Sequence, residues 1–136
     1  MILLIDSTPS KPQITRIMSK QKIGMILCGL VGLALLASGA AKVFGVQEVV
    51  DLLGGKTLWV GLIEWACVAA MFIPATRKLG FFLVASYLGG VIATEWINIG
   101  DMPITGVALN TLLYVGVALY APSMMGNLLG AEKTEA

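Results

Sequence analysis

The stretch LALLASGAAKVFG, residues 33–45, decides how this chain is read. It closes a run, residues 23–41, that carries no charge, and it places Ser38, Gly39 and then Lys42 before the helix has clearly ended. An uncharged apolar run of this length is long enough to cross a hydrocarbon core. A lysine inside such a core costs about 2.5–3.5 kcal/mol on insertion scales. Lys42 therefore either reaches the headgroups along its own stem or meets a compensating group elsewhere in the chain.

Composition agrees with an apolar solvent. Of 136 residues, 57% are hydrophobic and 12% charged, about half the charge of a soluble domain; the mean hydropathy is +0.88. The net charge of +1 offers nothing to a nucleic acid, and the absence of histidine removes the commonest metal ligand and the usual pH switch. No metal site is expected. Cys28 and Cys67 sit far apart within apolar runs and read as small packing residues.

Four apolar segments follow one another, residues 23–44, 57–75, 79–99 and 104–120. The fourth is short and is expected to borrow a turn on either side. Pro74, Pro103 and Pro122 stand at segment ends, where a missing N–H does least harm. The connections are short, so sequential helices run antiparallel. The expected fold is all-α, an integral membrane bundle of four transmembrane helices over residues 23–120. Seven of the nine basic residues (Lys11, Arg16, Lys20, Lys22, Arg77, Lys78 and Lys133) fall on one side of it, which places both termini in the cytoplasm.

Residues 1–22 read as a cytoplasmic tail whose end, with Ile14, Ile17 and Met18 opposite basic residues, suits a short interfacial helix. The opening MILLIDSTPSKP, residues 1–12, has neither the basic start nor the cleavage site expected of a secretory signal. Residues 121–136 form a second cytoplasmic tail, opening with Met124, Met125, Leu128 and Leu129 before turning polar.

With depth as the coordinate, one polar group per helix falls in the outer half of the bilayer. Lys42 lies within a turn of the outer boundary with Ser38 below it on the same stripe. Glu64 lies about 10 Å down the second segment, Glu95 about one turn into the third, and Asn110 about two turns into the fourth. Glu64 is too deep to reach water and must be protonated, paired or beside a wet cavity. Lys42 and Glu64 are expected to pair, with Ser38 and Asn110 as hydrogen-bond partners. Tyr87 and Asn98 share a face with Glu95, and Tyr114 shares one with Asn110, as secondary members. Gly61 on the Glu64 face admits a neighbouring helix. Cys28 and Gly32, with the rows Ala85, Gly89, Ala93 and Ser86, Gly90, Thr94, read as helix contacts. Trp59 and Trp96 read as interfacial belt residues and Trp65 as packing.

At these residues the chain resembles a known family. A first helix ending SGAAKVFG, an early glutamate in GLIEWACVAAMFIP, a basic turn and a third helix with a glycine pair look like the DoxX-like family of small four-helix bacterial membrane proteins. Ser38, Gly39, Lys42, Gly45 and Glu64 carry the resemblance, which runs over about residues 23–120. It implies a multi-pass protein of the bacterial cytoplasmic (inner) membrane. Name-giving members include a subunit of a thiosulfate:quinone oxidoreductase, which implies an accessory or anchor subunit of a redox complex, with quinone as the cofactor to consider. No catalytic motif accompanies it, so enzyme activity in isolation is not expected.

Three functions remain open on the residues: that accessory subunit, docked to a larger complex or to copies of itself; a small-solute or proton pathway; and a polar set that only specifies helix packing. A pathway needs polar groups through the inner leaflet, where little stands beyond Ser86 and Tyr87.

Overall fold

The computed structural model describes residues 11–130. Residues 1–10 of the expected tail, Lys133 within residues 131–136, and the side chains of Lys11, Ile14, Ile17 and Leu128 lie outside the described residues.

Helix α1, Lys11–Val43, is continuous through 33 residues. The segment read as a short interfacial helix is continuous with the helix that follows it, because nothing in TRIMSKQK breaks the backbone ladder and every residue there tolerates a helix. The helix stops at Gly45, whose φ of 70° is left-handed. The Val46 amide donates to Ala41 O at 2.9 Å and the Gly45 amide to Lys42 O at 3.3 Å, the double closure that glycine permits after a helix. Lys42 is thereby held in the last turn, where a cation also meets the negative end of the helix dipole.

The first connection is itself helical. Helix α2, Gln47–Leu53, is followed by a tight turn, Gly54–Lys56, and α3 covers Thr57–Phe72. The second connection closes the far end of α3. Thr76 Oγ1 donates to Ala70 O at 2.9 Å, Arg77 Nε to Met71 O at 3.3 Å and Arg77 Nη2 to Phe72 O at 3.2 Å. Carbonyls left over at a helix end thus gain donors. Arg77 Nη1 also donates to Tyr120 OH at 2.7 Å, tying this turn to the end of the last long helix.

Helix α4, Arg77–Thr94, runs into a π turn, Glu95–Ile99, which ends at the left-handed Gly100. Helix α5 is Ile104–Tyr120. It does not borrow turns as expected. Pro103 precedes it, and at Ala121 the backbone leaves the helical region (φ −134°, ψ 71°) before Pro122 starts α6, Pro122–Leu128. Proline disfavours a helical residue before it, which accounts for the break.

The long helices close into a ring in which α1 packs on α3 and α5, α3 on α4, and α4 on α5. The core is an apolar layer: Val31, Leu35, Val68, Met71, Val84, Leu88, Leu113 and Val117 are all buried. α1 and α5 come closest at two glycines. A Cβ on Gly116 would lie 2.8 Å from Cys28 Sγ and 3.0 Å from Gly24 O. The small rows assigned to α4 do not serve this purpose: Ser86, Gly89, Gly90 and Ala93 are exposed, and a Cβ on either glycine would meet nothing within 4 Å. Only Ala85 of those rows packs against the core.

The ring turns apolar side chains outward, among them Ile26, Leu33, Ile63, Leu79 and Val115. Three stretches are long and apolar enough to cross a membrane, Met18–Val43, Gln47–Phe72 and Pro74–Ile99, each of 26 residues; Ile104–Tyr120 is apolar but shorter. The all-helical chain has the composition and surface of a membrane protein.

Candidate functional site: a buried lysine centre

Gly61 sets the geometry of the site. A Cβ there would lie 3.0 Å from both Gly39 O and Lys42 Cβ, so α3 passes directly against the last turns of α1. Glu64 lies three residues further along α3 on the same face, one turn deeper. Its side chain is wholly buried, 0% exposed, and that of Lys42 is 12% exposed.

Lys42 Nζ lies 2.5 Å from Glu64 Oε2. The same ammonium donates to Ser38 Oγ at 2.6 Å and to Tyr87 OH at 3.2 Å, with the Tyr87 ring centroid 5.8 Å away. Three acceptors from α1, α3 and α4 thus take the three N–H donors of one lysine. Removing a charge pair from water costs several kcal/mol per ion, which close contact and added hydrogen bonds offset. Lys42 does not rely on snorkelling alone.

Of the expected polar set, the structure brings Ser38, Lys42 and Glu64 together and makes Tyr87, a secondary member on sequence, a direct partner. Ser38 is exposed at the bundle surface rather than buried, although its hydroxyl still holds Lys42. Asn110 makes no hydrogen bond to the pair, contrary to expectation. It shares a face of α5 with Gly106, one turn away, where a Cβ would lie 2.8 Å from Ile92 Cγ1 and 3.4 Å from Glu95 Oε2. That face looks at α4, so Glu95 and Asn110 belong to the α4–α5 seam. Asn98 and Tyr114 are exposed.

Among the described residues, three buried side-chain oxygens have no hydrogen-bond partner: Glu64 Oε1, Glu95 Oε2 and Asn110 Oδ1. The Ser38 and Tyr87 hydroxyls, which accept from Lys42, keep their own protons to donate. Glu95 also opens the π turn, a distortion frequent at functional sites.

Below the centre the interior is closed. From Tyr87 to Arg77 is about 15 Å along α4, and the space between is filled by the apolar layer described above. Among the described residues, no group of three or more metal-ligating side chains is clustered.

Trp65 was read only as packing. Its indole lies against Gly39, and its Nε1 donates to Leu36 O at 3.1 Å, so it also braces α1 beneath the site. Arg77 was read only as a topology marker, yet it caps α3. The signal for both was a large donor-bearing side chain near a helix end or a glycine, which one sequence does not resolve into a partner. Trp59 and Trp96 are exposed, 66% and 67%, as belt residues would be.

No family model, curated protein or solved structure matches the chain.

Proposed function

We propose that the chain is a DoxX-like protein of the bacterial cytoplasmic membrane with four spans and both termini inside, and that it acts as an accessory or anchor subunit of a membrane redox complex. The Lys42 centre, in the outer half of the bundle, is its polar site for a quinone-type headgroup. The orientation rests on the basic residues at the Arg77 end and on Lys42, Glu64 and Glu95 at the other.

The observation that carries the reading is the set of donors and acceptors gathered around Lys42. Lys42 has spent its three N–H groups on Ser38, Glu64 and Tyr87, while Glu64 Oε1 is fully buried with no donor. A quinone-type headgroup would meet both kinds of group there, a hydroxyl donor in Tyr87 and an unsatisfied carboxylate oxygen in Glu64. The apolar layer beneath favours a blind site over a solute pathway.

Affinity purification from mild detergent, with mass spectrometry of what accompanies the chain, tests the subunit role. The expected result is a redox enzyme subunit in stoichiometric amount that dissociates when Lys42 and Glu64 are replaced together by Met and Gln. A chain that purifies alone, or a partner indifferent to the double substitution, would overturn it.

A further inference from the structure

At the end of the bundle opposite Lys42 lies a shallow, half-open groove bordered by α1, the end of α3, the start of α4 and the end of α5. Its wall on α1 is Met25, Cys28 and Gly29, and facing them are Phe72, Arg77 and Tyr120. Gly29 leaves the groove unfilled, since a Cβ there would meet nothing within 4 Å. The walls are apolar except at the end that holds the guanidinium and the phenol.

The donors at that end are not exhausted. Arg77 spends Nε on Met71 O, one N–H of Nη2 on Phe72 O and one N–H of Nη1 on Tyr120 OH. Each terminal nitrogen carries a second N–H. Tyr120 OH accepts from Arg77 and keeps its own proton to donate. Two further cations stand close by along the helices. Lys22 stands at i, i+3 and i+7 with Met25 and Gly29, on the same face of α1, and Lys78 follows Arg77; both are exposed.

We infer that this groove is a binding site for one anionic phospholipid, its acyl chain along Met25, Gly29 and Phe72 and its phosphate held by the unspent N–H groups of Arg77 and the Tyr120 hydroxyl, with Lys22 and Lys78 supplying further positive charge. An apolar slot that ends in donors and cations is complementary to that amphiphile: the slot excludes a free anion's water shell, and the charge separates an anionic lipid from a zwitterionic one. Basic pockets between helices on the positive side of a membrane protein hold anionic headgroups in this way.

The test uses the full chain in nanodiscs containing phosphatidylglycerol and phosphatidylcholine, with native mass spectrometry reading the lipid that stays bound. The expected result is one phosphatidylglycerol per chain, retained in preference to phosphatidylcholine. Gly29→Leu puts its Cβ into open space and its branched end into the slot, and leaves Arg77 as the cap of α3; it should abolish retention in a protein that melts as the wild type does. Lys22→Gln and Lys78→Gln should each weaken retention by about fivefold. Equal retention of the two lipids, undiminished phosphatidylglycerol on Gly29→Leu, or full displacement by inorganic phosphate alone would overturn the assignment.

Discussion

Lys42 sits at the meeting of two demands, a helix that must end and a carboxylate that cannot reach water. Gly45 closes α1 one turn later, and Glu64 is wholly buried opposite. Neither charge is stable there without the other. Lys42→Met or Glu64→Gln alone should therefore lower stability by about 3–5 kcal/mol, since each leaves an uncompensated group in the interior. The double substitution should recover part of that loss. Thermal or chemical unfolding in detergent measures the cycle, and simple additivity of the two single effects would mean that the residues do not interact. The pair was legible in the sequence because depth along a helix follows from counting residues. Tyr87 and Asn110 were harder, because what separates them is rotation about the helix axis. Tyr87 points across the ring to Lys42, whereas Asn110 points along the seam to α4, and the direction of the bundle centre is set by neighbours that one sequence does not reveal.

At the scale of the helices, small residues do different work at different places. The α1–α5 approach leaves no room for a side chain at Gly116, whose substituent would collide with the Gly24 carbonyl at 3.0 Å and with Cys28 Sγ at 2.8 Å. Gly116→Val should destabilise the bundle by about 1–3 kcal/mol through overpacking. Gly89 is the matched control, with open space around it; Gly89→Ala should be neutral or stabilising by about 0.4–1 kcal/mol through the unfolded chain. The same unfolding assay ranks the two, and equal effects would contradict the packing described here. The helical segments themselves were readable from runs of apolar residues and flanking prolines. The α4 rows misled because small residues spaced for contact look alike whether they face a neighbour or the surroundings. The helical connection α2 escaped notice because GVQEVVDLLGGK reads as a loop bounded by glycines, and its seven residues form one short helix between Gly45 and Gly54, both left-handed.

At the scale of the molecule, the two ends of the bundle are chemically unlike. One gathers Lys42, Glu64, Tyr87, Glu95 and Asn110, and the other gathers Arg77, Tyr120, Lys22 and Lys78, with an apolar layer between them. This polarity was visible in the sequence as an asymmetry of charge, whereas the closure between the ends was not, because it depends on which faces of four helices meet. A bilayer matched to that polarity would hold the polar centre in its outer half. The most direct measurement is thiol labelling in cells, with Cys28 and Cys67 replaced by alanine and a single cysteine introduced at Asp51 on exposed α2 or at Lys78 beside Arg77. A membrane-impermeant maleimide should label Asp51→Cys in intact cells and Lys78→Cys only after permeabilisation. Labelling of Lys78→Cys in intact cells, with Asp51→Cys protected until the membrane is opened, would contradict it.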